Sequence, residues 1–294
     1  MDRLPAGHPA VAFMHIPKTA GTSLVLALRR ALAPAASVGG FDASLFGDYA
    51  DFDTFDAPTR AAIHLRPHDL PPADFVAGHF ALSTLMGRYP RARLLSVLRE
   101  PRSRLLSLWL FWRSHSDEQL AGWGTWADRV RLARLPLAAF LRAPAVACQT
   151  DNMITRALLW PHPLIPDGGF IAPDDEAWLL TDARRRLAQL SFVDVVEVAG
   201  WEARLQAWLG RPLDLARCNE TTPMPRGLRG DLARELTASA FDALAARSRI
   251  DTQLWTTVAG GLAGSDADAV REEAWIRTVA RHAPLLAGGT PAMA

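Results

Sequence analysis

Near the start of the chain a lysine, two threonines and a serine crowd around one glycine, in Pro17-Lys18-Thr19-Ala20-Gly21-Thr22-Ser23. An ammonium and several hydroxyls in so short a run form a set suited to an oxyanion, because the cation supplies charge and the hydroxyls donate hydrogen bonds. The same chemistry returns mid-chain in Arg99-Glu100-Pro101-Arg102-Ser103-Arg104-Leu105-Leu106-Ser107, where residues 99, 103 and 107 are spaced by four. A guanidinium holds two phosphate oxygens in one plane while a hydroxyl donates to a third. Between the two runs, Gly78-His79-Phe80 supplies an imidazole, the side chain suited to proton transfer near neutral pH. Taken alone, a histidine beside Gly78 and Phe80 is more often a packed structural residue than a general base.

These residues need a scaffold, and the flanking sequence describes one. Val11 to Ile16 is an apolar strand that Pro17 stops. Leu24, Leu28, Ala31 and Leu32 have helical spacing and predict a helix from about Thr22 to Ala33. The strand-to-helix turn then aims N–H groups and a helix's positive end outward, a ready anion site. Asp74 to Phe80 predicts a second strand, with His79 at its carboxyl end and a helix from about Ala81 to Arg88 after it. Leu94 to Leu98 is a third strand. Pro101 suits the first position of a helix running to about Arg113, which would carry Arg99, Ser103 and Ser107 along one side.

Elsewhere the reading is coarser. Ala33 to Pro72 reads as loops with short elements, including a weak strand at Ala61 to Leu65, and as a substrate-facing surface. A helix begins near Pro173 and runs towards Leu190, Phe192 to Val198 is a strand, and Trp201 to Leu209 is a helix. Ser265 to Leu286 is an amphipathic helix, read as a lid or oligomer contact. Strands alternating with helices predict an α/β fold with a central parallel sheet flanked by helices. At 294 residues the chain is read as one elaborated domain (1–294), with a loop-rich insertion at about 34–72 and a helical extension at about 230–287.

Composition narrows the function. A net charge of +1 argues against a general nucleic-acid binder, so a cationic site must be local. Cys148 and Cys218 lack metal-site spacing and cannot make a disulfide framework; reduced thiols are the simplest reading, with a single bridge the alternative. Met1 to His8 has no apolar signal core, and no apolar run reaches membrane-spanning length. The expectation is a soluble cytoplasmic protein with no integral membrane segment and no metal site.

The first motif fails the nucleoside-triphosphate P-loop pattern, because its lysine precedes the glycine and only Thr19 and Ala20 lie between them. It resembles instead the 5′-phosphosulfate loop of sulfotransferases that use 3′-phosphoadenosine 5′-phosphosulfate (PAPS). Arg-x-Pro-x-x-Arg-x-x-Ser is similar to the 3′-phosphate motif of the same enzymes. Gly-His followed by an aromatic is similar to a segment of the carbohydrate sulfotransferases related to uronyl 2-O-sulfotransferases. Ala77 stands where those enzymes often carry a second histidine. The resemblance implies a P-loop-NTPase-like three-layer fold and transfer of a sulfuryl group from PAPS to an acceptor hydroxyl, as on a carbohydrate, without a metal. It gives Pro17, Lys18, Thr19, Ala20, Gly21, Thr22 and Ser23 to the 5′ end of the nucleotide, and Arg99 and Ser107 to its 3′-phosphate. His79 becomes the base, with His64 and His68 as the next candidates, and Lys18 the stabiliser of the leaving group. Arg226, in a Gly-containing loop, is a further nucleotide contact. Asn152 and Arg156, four apart on one helix, either reach the acceptor or the nucleotide or form an internal helix pair. A nucleotide-binding relative without turnover, a phosphotransferase and a non-catalytic structural protein remain the alternatives.

Overall fold

All four residues of strand β1 (Val11–Met14) are buried, because this strand lies in the middle of a sheet covered on both faces. Its side chains alternate. Val11 and Phe13 join one apolar cluster with Leu24, Leu28, Leu205 and Leu209, whereas Ala12 and Met14 join a second, larger one with Leu82, Leu105 and Trp109. The first cluster packs the Gly21–Leu32 and Trp201–Leu209 helices on one face; the second packs the Leu82–Arg88 and Pro101–Arg113 helices on the other. The result is a layered α/β structure. It is a computed structural model describing residues 11–47, 52–215, 224–263 and 266–289.

The main sheet adds β2 (Ser37–Val38), β5 (Phe75–Gly78), β6 (Arg93–Leu98) and β7 (Phe192–Val195), in the order β2-β5-β1-β6-β7 and parallel throughout. A small parallel pair, β3 (Phe41–Asp42) and β4 (Ile63–His64), completes the strands among the described residues. From β1 the chain passes to β2 and β5 on one side, then crosses to β6 and β7 on the other. Such a reversal opens a crevice at the strands' carboxyl ends, beside β1 and β6.

The strands and helices predicted around the three chemical motifs form within a few residues of the expected limits. The stretch from 34 to 72 carries short elements, as expected, with β4 inside the strand read at Ala61 to Leu65. The stretch also contributes β2 to the main sheet and folds the pair β3 and β4 against the end of β5, where His79 N–H donates to the Gly40 carbonyl and Asp42 N–H to that of His79. Buried Asp42 fastens it further by accepting from the backbone N–H of Ser44 and Ala81.

Beyond residue 230 the chain is helical, through Leu232–Glu235, Ala238–Arg247, Arg249–Ala263 and Ala267–Leu286. Asp251 ties this part to the middle of the chain. Its buried carboxylate accepts from the N–H groups of Ile154 and Thr155 and from the Thr155 hydroxyl, capping the Met153–Leu159 helix from outside. Asn152 Oδ1 accepts from the N–H groups of Ile250 and Asp251, and Arg156 pairs with Asp151 at 3.1 Å. Asn152 and Arg156 are therefore internal struts. None of the described helices is long and apolar enough to cross a membrane.

Removing the Asp251 carboxylate would leave two buried helix N–H groups and a hydroxyl unsatisfied. Asp251→Ala is expected to lower unfolding free energy by on the order of 3 kcal/mol, with an unchanged denaturant slope, in urea titration.

Candidate functional site

One large cavity, about 1890 Å³, opens at the carboxyl ends of β1 and β6. A drug-sized ligand fills roughly 300–1,000 Å³, so this space exceeds the needs of one small molecule. Pro17, Lys18, Ala20, Gly21, Thr22, Ser23, His79, Arg99 and Ser107 all line it. The two oxyanion motifs thus face the same space. They also touch, because Arg99 Nη1 donates to the Lys18 carbonyl at 3.1 Å.

The turn after β1 is held in an unusual backbone shape. Lys18 and Ala20 have φ values of 69° and 60°, in the left-handed region that side chains rarely adopt. Thr19 pins the turn from below: its hydroxyl donates to the Ile16 carbonyl at 2.8 Å and its side chain is fully buried. Thr19 therefore does not offer its hydroxyl to the cavity, contrary to the sequence expectation. Gly21 has a steric role beyond the turn. A Cβ there would fall 1.8 Å from His15 Nε2, so only glycine leaves room for the His15 ring. The Gly21–Leu32 helix has no side-chain cap from Ala20 and no acid in its first turn, so its positive end meets the cavity without its own counter-charge.

The Pro101–Arg113 helix begins differently. Glu100 caps it by accepting from the N–H groups of Arg102 and Ser103, so it presents side chains to the cavity rather than its N-terminus. Ser107 lines the space, but Ser103 is buried outside it. Arg104 also turns inward, donating to the Gln149 carbonyl. Arg99 Nη2 donates to Thr278 Oγ1 on the Ala267–Leu286 helix. That helix, expected as a lid or oligomer contact, supplies Arg277, Thr278, Arg281 and His282 to the wall.

The wall carries an excess of cations. Lys18, Arg99, Arg277 and Arg281 face the cavity against Glu197 and Glu202 among the described residues. Burial, with Arg99 and Arg281 nearby, lowers the Lys18 ammonium to about 7; its Nζ also lies 3.8 Å from the centre of the Phe111 ring. Burial likewise raises the Glu197 carboxyl to about 7, although it accepts from the Glu100 N–H and from Trp255 Nε1. Of these cations Lys18 and Arg99 are drawn inward and repel one another, with Glu197 and Glu100 offsetting part of the Arg99 charge. Arg277 and Arg281 are exposed, and Arg277 pairs with Glu273 at 2.8 Å. An entering anion would relieve the Lys18–Arg99 repulsion.

His79 stands beside them. Its Nδ1 lies 2.6 Å from the His15 carbonyl oxygen, which can only accept, so the proton is assigned to Nδ1 and the lone pair to Nε2. Burial lowers this imidazole to about 4, with Lys18 acting in the same direction and the His15 carbonyl opposing, so it is neutral at physiological pH. The His15 ring packs on His79 with centroids 4.2 Å apart, and Phe41 stacks on it at 5.6 Å. His64 bonds towards the Gly39 carbonyl, and neither it nor His68 lines the cavity. Arg226 is exposed and does not line the cavity either, while Cys218 and the loop before Arg226 lie outside the described residues. Cys148 is buried. No group of three His, Cys, Asp or Glu side chains among the described residues is placed to hold a metal ion.

Several site residues were not foreseen: His15, Glu197, Thr278, Arg281 and His282. The sequence carried no clear signal for the last helix: Arg277 and Arg281 are spaced i, i+4, but Glu273, four residues before Arg277, pairs with it at 2.8 Å.

No protein-family model matches this chain, and no curated protein matches it significantly.

The packing of His15 against Gly21 sets a test. Gly21→Ala is expected to cost about 1–3 kcal/mol, the usual range for overpacking. The double variant Gly21→Ala/His15→Ala should recover much of that loss in thermal or urea unfolding.

Proposed function

We propose that this chain is a PAPS-dependent sulfotransferase with a P-loop-like variant of the layered α/β fold. The observation that carries the reading is the Arg99–Lys18 contact inside one cation-rich cavity. The 3′ and 5′ substituents of one ribose are only a few bonds apart, so a nucleotide phosphorylated at both positions needs two neighbouring oxyanion sites. The turn at 17–23 and the Arg99–Ser107 pair are such neighbours.

The residues fit the donor. Lys18, Thr22, Ser23 and the N-terminus of the Gly21–Leu32 helix would hold its 5′ end. Arg99 and Ser107 would hold its 3′-phosphate, and Arg277 and Arg281 add charge along the same wall. Bound PAPS supplies an activated sulfuryl group, whose bond to the 5′-phosphate breaks, with its electron pair, as the acceptor oxygen forms the new O–S bond.

The chain's own part is proton transfer and charge placement. His79 Nε2 takes the acceptor's proton, and its Nδ1–H bond to the His15 carbonyl holds the required tautomer. Lys18 and the helix N-terminus stabilise the negative charge that grows on the leaving phosphate. Thr19 contributes by fixing the turn through its bond to Ile16.

His79→Ala is expected to reduce turnover by roughly 10²–10⁴-fold while affinity for adenosine 3′,5′-bisphosphate stays near wild type. Lys18→Ala and Arg99→Ala should weaken that affinity by about tenfold or more, since each removes a charged hydrogen bond. Turnover assays with sulfur-labelled donor and calorimetric titrations separate the two effects. Full activity in His79→Ala would remove the base assignment.

Nucleotide affinity should also depend on pH. Lys18 and Glu197 both titrate near 7 in the free protein. As pH rises through 7, Lys18 loses its positive charge and Glu197 gains a negative one, so both changes oppose a polyanion. Affinity for adenosine 3′,5′-bisphosphate is expected to fall by about tenfold or more from pH 6 to pH 9, with net proton uptake on binding above pH 7. Calorimetry in buffers of different ionisation enthalpy reads both.

A further inference from the structure

The cations occupy only part of the cavity wall. Residues 196–215 form another part, with Glu197 and Glu202, and a third part, built from described residues 41–46, 55–62 and 108–126, is largely aromatic. Its rings form a continuous train from the base. Phe41 stacks on His79, Phe46 meets Phe41 at 6.1 Å, and Trp126 and Phe55 meet Phe46 at 5.0 and 5.5 Å. Trp112 then meets Trp126 at 6.0 Å. Among the described residues of this lobe, none contributes a lysine, arginine or carboxylate to the lining, although Lys18 of the neighbouring wall lies over Phe111. Thr59 and His115 are its polar members, beside His79 and Gln149, which donates to the Leu45 carbonyl.

We infer that this lobe is the acceptor subsite, and that it takes a neutral alcohol or phenol carried on an apolar ring system. The inference rests on the sulfotransferase reading for the word acceptor, but the binding claim stands on the lobe itself. Phe46, Phe55, Trp112 and Trp126 are buried and back the lobe, whereas Phe41, Phe111 and Trp123 keep part of their area accessible and gain from a ligand that covers it. An anionic sugar acid or sulfated polysaccharide would bring charge to a wall whose one adjoining cation among the described lining residues, Lys18 over Phe111, is already assigned to the donor, and desolvating that charge is costly. The charged donor and the acceptor are thereby sorted to opposite walls. His79 stands at the junction, where a hydroxyl at the inner edge of the ring system can reach it.

The volume agrees with two occupants. A cavity of about 1890 Å³ has room for a nucleotide and a ring-bearing molecule together. The segment 34–72 shapes this lobe through Phe41, Phe46, Phe55 and Thr59, so acceptor choice belongs to that segment rather than to the phosphate motifs.

The test measures binding of 2-naphthol, cellobiose and a heparin-derived disaccharide by calorimetry, each with and without adenosine 3′,5′-bisphosphate. The proposal expects 2-naphthol to bind at least tenfold more tightly than either sugar and to accept labelled sulfate from PAPS. Thr59→Arg, which places a cation in the lobe, and Phe46→Ala, which breaks the ring train, should each weaken 2-naphthol by at least tenfold. Retained affinity for adenosine 3′,5′-bisphosphate serves as the check on folding. Tighter binding of either sugar, or 2-naphthol affinity indifferent to both substitutions, overturns the inference while leaving the sulfotransferase reading intact. If the nucleotide fails to bind but 2-naphthol binds with the expected sensitivity to Thr59→Arg, the sulfotransferase reading falls and the ring-binding lobe stands.

Discussion

The site depends on two parallel strands being neighbours. Val11, Ala12 and Phe13 of β1 are in register with Arg93, Leu94 and Leu95 of β6, so both strands end at the same edge of the sheet. The turns that follow are thereby forced together although some eighty residues separate them in sequence. Ser96 reinforces the junction by donating to the Met14 carbonyl at 2.8 Å, and Arg99 closes it by donating to the Lys18 carbonyl. Placing Arg99 there costs the Lys18 ammonium stability, because a guanidinium beside it opposes protonation. The contact that aligns the turn also charges the cavity.

Such a site is unfavourable in isolation and must be held by the rest of the molecule. Left-handed backbone at Lys18 and Ala20 costs on the order of 1–3 kcal/mol each, and burial of the Lys18 ammonium beside Arg99 adds to it. The restraint comes from both faces of the sheet. Leu24 and Leu28 anchor the Gly21–Leu32 helix in one apolar cluster, while Leu105, Leu106 and Trp109 anchor the Pro101–Arg113 helix in the other. Neither helix can turn to relieve repulsion without exposing those side chains. Thr278 adds a third support by accepting from Arg99 across the fold.

Local signals made much of this legible in sequence. Apolar runs stopped by proline, helical leucine spacing and Pro101 at a helix start are short-range effects, and they located the strands and helices that carry Lys18, His79 and Arg99. Side-chain direction in a tight turn is different. Spacing could not tell that Thr19 points into the core while Thr22 and Ser23 face the cavity, because that follows from left-handed backbone at Lys18 and Ala20. Within the second motif, Ser103 and Arg104 face the core for a tertiary reason, the packing of the whole helix between the sheet and the residues near Gln149. His15 escaped notice because a residue at a strand's end reads as core, and its contact with His79 exists only once β1 pairs with β5. The two-residue β2 has too few residues for any alternation to show. An amphipathic pattern at 267–286 fixes which face is apolar but not which part of the protein covers the other.

The proton chemistry of the cavity is collective. Burial is the largest influence on His79, Lys18 and His282, and in every case it lowers the proton affinity; neighbouring cations push the same way. A polyanion seated among these groups acts with the opposite sign on all of them, because it stabilises each protonated form. His79 at about 4 is a weak base for a hydroxyl, and general-base efficiency rises as the base's pKa approaches the working pH. The same anion that neutralises the cation excess therefore strengthens the base beside it. On the proposed reading, the charge of a bound donor would be more than a handle for binding, since it would tune the imidazole proposed as the base.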